Sequence, residues 1–233
     1  MYLNSIIPDP ERLDRLVNIA KSSLLPLLEG AIYYTIPLTL ITFVFGIILA
    51  IFTALARISS IKILQNIARI YVSAIRGTPL LVQLFIIFYG LPTIGIIIDP
   101  YPSAIIGFSL SVGAYSSEII RAAILSIPKG QWEAAYSIGM SFSQAMRRII
   151  LPQAARVSVP PLSNTFISLV KDTSLASLIL VTEMFRRAQE IAATNYEFLL
   201  LYTEAAILYW IICFILSIAQ GKIEERLDRY MAK

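Results

Sequence analysis

Five polar side chains sit close together in an otherwise apolar stretch: Asn164, Thr165, Ser168, Lys171 and Asp172. On an α-helix, with Asn164 at zero, they project at about 0°, 100°, 40°, −20° and 80°. They therefore share one face, while Phe166, Ile167, Leu169 and Val170 occupy mainly the other side. An ammonium, a carboxylate, hydroxyls and an amide supply donors and acceptors of both polarities. Such a stripe lines water, a substrate or another helix, and the spacing alone leaves all three open. Lys171 and Asp172 are adjacent and do not face each other squarely, so each is expected to find partners on other elements. Thr173 and Ser174 fall off the stripe and are expected to bond back to their own helix.

The remaining residues offer little catalytic chemistry. Histidine is absent, which removes the commonest general base near neutral pH and the commonest metal ligand. Cys213 is the only cysteine and reads as a small buried hydrophobe. The one Gly-Lys pair, Gly221-Lys222, is followed by Ile223, so the phosphate-cradling pattern is missing. No carboxylate pair, nucleophile–base set or metal cluster is visible; the expectation is no catalytic residue and no metal ligand. The formal charge of +4 is dispersed between apolar segments, with no basic block to suggest a nucleic acid.

The elements that position the stripe follow from composition. Of 233 residues, 57% are hydrophobic and 15% charged, and the mean hydropathy is +0.74, too apolar to cover a soluble globule. Runs of about 20 apolar residues span a bilayer. They occur at residues 30–56, 80–98, 103–127, 157–181 and 198–219, without the alternation of a barrel. The expectation is an all-α membrane protein with five transmembrane helices. Before them, Leu13, Leu16, Val17 and Ala20 fall at helical spacing, opposed by Asp9, Glu11, Arg12, Asp14, Arg15 and Lys21. That pattern predicts an amphipathic interfacial helix within residues 1–29, without the charge order of a cleaved leader.

Lysine and arginine set the orientation. Thirteen lie in the stretch between the first two spans, from Arg121 at the inner end of the third to the start of the fourth, and in the tail at 221–233. Five lie on the other side. The N-terminus is therefore expected outside, and the C-terminus and the 128–156 loop in the cytoplasm. Within the spans, Glu118 and Arg121 stand three residues apart and are expected to pair, Gly90-Leu91-Pro92 interrupts the second span, and Glu204 receives no role.

The 128–156 loop is more than a tether. Glu133-Ala134-Ala135-Tyr136 favours a helix, Gly139 ends it, and Ser141 is placed to cap a second helix reaching Leu151. Glu133, Ala134, Ala135, Gly139, Ile149, Leu151 and Pro152 together match, without gaps, the signature loop of permease subunits of bacterial ABC importers. Arg76-Gly77-Thr78-Pro79-Leu80-Leu81, Tyr115 to Pro128 and Lys171-Asp172-Thr173-Ser174-Leu175 extend the match. The chain resembles the polar amino acid uptake subfamily from Gly30 onward, and within it is most similar to L-cystine permeases.

The resemblance implies a type I ABC importer permease fold in the bacterial cell membrane. The loop then couples to a separate ATP-binding subunit, which holds ATP and Mg, and an extracytoplasmic solute-binding protein delivers the amino acid. Five helices enclose too little space for such a substrate, so a second copy or a homologue completes the path, with two-fold symmetry as the default. An ion-driven secondary transporter is the competing class; the odd span count, the missing internal repeat and the complete loop stand against it. Asn-Glu-Phe is common in the subfamily where this chain reads Asn164-Thr165-Phe166. The missing carboxylate disfavours a basic substrate such as arginine and favours cystine, with glutamine and glutamate as alternatives.

Overall fold

The computed structural model describes residues 10–228, and the described residues are almost entirely helical. Asp9, Arg229 and Lys233, which entered the sequence arguments above, lie outside them. Helix α1 (Pro10–Gly30) passes through a π turn at Ala31–Thr35 into α2 (Ile36–Ile58). The two form one 49-residue run, about 74 Å long at 1.5 Å per residue. The amphipathic N-terminal segment thus continues into the first apolar run at Gly30 rather than forming a separate helix. Its buried residues Ile19, Ser23 and Leu27 pack on α9 (Met184–Asn195) and α10 (Phe198–Asp228).

Among the described residues, three helices are long and apolar enough to cross a membrane, and the number rises to five if each of two bent pairs is one span. The first bent pair joins α3 (Lys62–Arg76) to α4 (Leu80–Phe85) and its extension to Ile94, at 102°. The second run at 80–98 is therefore not a plain helix. After α4 it tightens through a π turn at Ile86–Gly90 into a 3₁₀ turn at Leu91–Ile94, where Pro92 withholds a donor and Gly95 adopts φ 86°. Gln83 clamps the α3–α4 bend by donating to the carbonyls of Ile75 (2.8 Å) and Thr78 (3.1 Å).

Helix α5 (Pro100–Ser126) is the central element. It packs most extensively on α2, and small residues bring the two backbones together: a Cβ on Gly46 would overlap Val112. Leu38, Leu84, Phe108, Val112, Leu169 and Ile179 form the main core where α2, α4, α5 and α8 (Leu151–Asp172) meet. Helix α8 holds Pro160 and Pro161 inside it and ends in a 3₁₀ turn at Thr173–Ile179. Thr173 and Ser174 hydroxyls donate to the carbonyls of Val170 and Lys171, both at 2.7 Å, as their position off the stripe predicts.

A polar node lies beyond that turn. The Glu183 carboxylate, 0% exposed, accepts from the backbone N–H groups of Phe185 (2.9 Å) and Arg186 (2.7 Å), capping α9. It also accepts from the Tyr209 hydroxyl on α10 at 2.7 Å. Next to it, the Met184 N–H donates to Thr35 Oγ1 in the α1–α2 turn. One carboxylate thereby ties two elements together and, through its neighbour, a third. Glu204, left without a role above, accepts from Ser23 Oγ at 2.6 Å and fastens α10 to α1.

Candidate functional site

The polar stripe of α8 faces the middle of α5 across a cavity of about 440 Å³. Asn164, Thr165, Ser168 and Asp172 line one wall; Ser111, Tyr115, Phe108 and Val112 of α5 line the other, and Leu80 of α4 closes an edge. Four of the five stripe residues are thus brought together. Lys171 is exposed and does not line the cavity, and no ion pair joins it to Asp172 among the described residues. The reason is angular: Lys171 lies at the far edge of the stripe from Thr165 and Asp172, so those two can face α5 while it does not.

Hydrogen bonds pre-set two of the polar groups. Asn164 Oδ1 accepts from Gln220 Nε2 of α10 at 3.0 Å, leaving its amide N–H₂ to donate elsewhere. Thr165 Oγ1 donates to the Pro161 carbonyl at 3.0 Å, leaving the hydroxyl oxygen as an acceptor. The cavity combines these groups with an aromatic ring and aliphatic walls, a composition suited to a small polar molecule with an apolar middle. Ser111 and Tyr115 were not singled out as wall residues from sequence. Their four-residue spacing puts them on one face of α5, but a serine and a tyrosine in an apolar run carry no chemical signature of their own.

The 128–156 loop folds as its residues predict. Helix α6 (Lys129–Ser137) ends at Gly139, whose φ is 77°, with Gly139 N–H donating to the Tyr136 carbonyl and Met140 N–H to that of Ala135. A capping box opens α7 (Phe142–Ala145): Ser141 Oγ accepts from the Gln144 N–H, and the Gln144 side chain accepts from the Ser141 N–H. A π turn, Met146–Ile150, then leads into α8, with Ile149 and Leu151 packed on its inner core and Pro152 in the first turn. Trp132 stacks on Phe142 with centroids 5.5 Å apart, locking the two short helices together.

Two signature residues of the loop have contrasting settings. Ala135 is fully buried within the chain, so it serves the loop's own packing, and Ala134 alone of the pair stays exposed. The Glu133 side chain does not cap α6; it projects from the exposed surface with no ion pair among the described residues. Around it Tyr136, Ile138 and Phe142 are exposed at 47%, 73% and 57%, an apolar tip on a rigid helix–turn–helix. Ile150, Met146, Ala154, Ala123 and Ile124 pack behind it, so the loop is continuous with the end of α5 and the start of α8.

Comparison with known proteins decides what kind of chain carries this pair of features. The family model described as binding-protein-dependent transport system inner membrane component matches residues 43–229. The chain belongs to this family. It is an all-helical inner membrane permease component of the ABC type, serving a transport system that depends on a binding protein, and such components are not themselves enzymes. It is 64% identical over 217 residues to the L-cystine transport system permease protein TcyB of Bacillus subtilis, covering 93% of each chain. It is 41% identical over 206 residues to the probable amino-acid ABC transporter permease protein YckA of the same organism, covering 88% of this chain and 91% of that one. Among solved structures, an amino acid ABC transporter crystallised with histidines matches at 32% identity and a TM-score of 0.81, over 95% of this chain and 100% of that chain.

Proposed function

We propose that this chain is the permease subunit of an ATP-driven importer of L-cystine. The α5–α8 cavity is the observation that carries this reading: four polar stripe residues face an aromatic and aliphatic wall, and none of the lining groups except Asp172 carries a charge. Cystine has two polar ends joined by an apolar disulfide and no net charge, which suits that lining. The 64% identity to a permease named for L-cystine supports the same choice. Thr165 stands where a glutamate is common in the subfamily, which leaves Asp172 as the one carboxylate lining the cavity; the substrate's own ammonium competes for it, and a cationic side chain has no second carboxylate there.

In this reading the chain crosses the membrane five times, with each bent pair counted as one crossing. The N-terminus lies outside and the 128–156 loop inside. A second copy or a homologue faces the open side of the cavity and completes the path. Glu133, Ala134, Gly139 and the apolar tip dock on a separate ATP-binding subunit, which holds ATP and Mg; Ala135, Ile149, Leu151 and Pro152 stiffen the loop. Motion of the docked subunit then tilts α5 and α8, the two helices the loop joins, and so opens and closes the cavity between them. An extracytoplasmic solute-binding protein supplies the substrate, and Asn164, Thr165, Ser168 and Asp172 hold it in passage, with Lys171 acting only from outside the cavity.

The test is uptake by the reconstituted complex with L-cystine, glutamine, glutamate and arginine in competition. Cystine is expected to dominate. Arginine winning the competition would overturn the substrate assignment and the argument from Thr165.

A further inference from the structure

Next to the cavity, on the side leading to the 128–156 loop, three arginines from three helices converge on one carboxylate. Glu118 of α5 is approached by Arg57 at the end of α2, Arg76 at the end of α3 and Arg121 one turn along α5. The cluster therefore carries two uncompensated positive charges. Ser111, Tyr115 and Glu118 share one face of α5 at four- and three-residue spacing, so the cluster continues the cavity wall by about one turn.

The three arginines are not equivalent. Arg57 holds Glu118 Oε1, and its side chain is only 16% exposed. Arg121 grips Oε2 through both Nε (3.1 Å) and Nη2 (3.0 Å). Both carboxylate oxygens are thus engaged without Arg76. That residue stands 3.7 Å from Oε1, beyond hydrogen-bond distance, and is 44% exposed. Its guanidinium lies 5.3 Å from the ring centroid of Tyr115, a residue of the cavity wall. Among the described residues, no group accepts a hydrogen bond from Arg76. A planar fork of donors, held over an aromatic face beside a polar cavity and surrounded by excess positive charge, is suited to a carboxylate.

We propose that Arg76, with Tyr115 beneath it, forms a second substrate station on the inner side of the cavity and takes the α-carboxylate of the amino acid as it leaves. Arg57 and Arg121 neutralise Glu118, so that its charge does not repel the arriving carboxylate or claim Arg76. Gln83 fixes the station by clamping the α3–α4 bend that follows Arg76 directly. The inference rests on the amino acid import reading given above.

The test uses the complete permease–ATPase complex in vesicles, with labelled L-cystine as the transported probe and cystamine, which is cystine without its carboxylates, as a competitor. Wild type is expected to bind cystine at least roughly tenfold more tightly than cystamine, as one charge-assisted hydrogen-bonded pair implies. Arg76→Gln should collapse that ratio toward one, Arg76→Lys should retain part of it, and Arg69→Gln, an exposed neighbour on α3, should leave it intact. A purely structural role for Arg76 would weaken both ligands equally and leave the ratio unchanged, which overturns the inference. So would a wild type that does not discriminate the two, an outcome that needs no variant to fold. If Arg76→Gln does not assemble, an unchanged ratio in Arg76→Lys overturns the inference and a reduced one supports it. No cystine uptake by wild type overturns the cystine reading and this station together, whereas normal uptake with an unchanged ratio in Arg76→Gln overturns the station alone.

Discussion

Replacing Glu183 by alanine removes an acceptor that serves three donors at once in a site with no exposure. Two are the first N–H groups of α9, and loss of a helix N-cap costs about 0.5–2 kcal/mol. The third is the Tyr209 hydroxyl, and a hydrogen bond to a charged group contributes about 1.5–3 kcal/mol. The sum is about 2–5 kcal/mol. At about 2–4 °C per kcal/mol for a chain of this size, the midpoint of thermal unfolding in detergent should fall by at least roughly 4 °C. Glu183→Gln keeps one carbonyl oxygen as acceptor and should fall by less than half as much. Tyr209→Phe removes only the hydroxyl, so a double-mutant cycle of Glu183→Ala with Tyr209→Phe should show a coupling of about 1.5–3 kcal/mol. Strict additivity in that cycle, or a Glu183→Ala midpoint within a degree of wild type, would refute the idea that this node joins α9 to α10.

Other expectations follow from the same geometry. Glu133→Lys alters an exposed side chain with no ion-pair partner among the described residues, so the protein should insert and fold normally yet lose co-purification with its ATP-binding subunit; unchanged co-purification would remove Glu133 from the docking surface. Gly139→Asp places a side chain at φ 77°, where an L-residue costs about 1–2 kcal/mol, and should impair coupling more than membrane insertion, measured as uptake against membrane abundance. Thr165→Glu adds a carboxylate to the cavity wall and should lower cystine uptake while raising that of arginine in the competition assay. Gly46→Leu forces a side chain into Val112 of α5 and should sharply reduce the yield of folded protein in detergent.

Much of this was legible from sequence because the signals were local. Gly139 and Ser141 announce a turn and a cap within a few residues, and the structure has both. The α8 stripe is a periodicity argument, and four of its five members line one cavity. Lys171 lies outside that lining because periodicity assigns a face but not the width of that face which a neighbouring helix covers. What stayed hidden depends on contacts between distant segments. Glu183 looks like an ordinary residue in a polar connection until Tyr209 arrives from α10. Glu204 looks solvated until Ser23 is packed against it. Glu118 and Arg121 are readable as a pair three residues apart, whereas Arg57 reaches the same carboxylate because α2 packs along α5, and Arg76 because α3 packs against α5. Composition changes at Gly30, although the backbone continues past it through the π turn at Ala31–Thr35.

The central claim, that this chain forms an ATP-coupled path for an amino acid, is tested most directly by energisation. Vesicles holding the reconstituted complex, supplied with the solute-binding protein and labelled L-cystine outside, should accumulate cystine only with ATP in the lumen. That uptake should persist when ionophores collapse every ion gradient. Uptake abolished by the ionophores at constant ATP, or proceeding undiminished without ATP, would contradict the account.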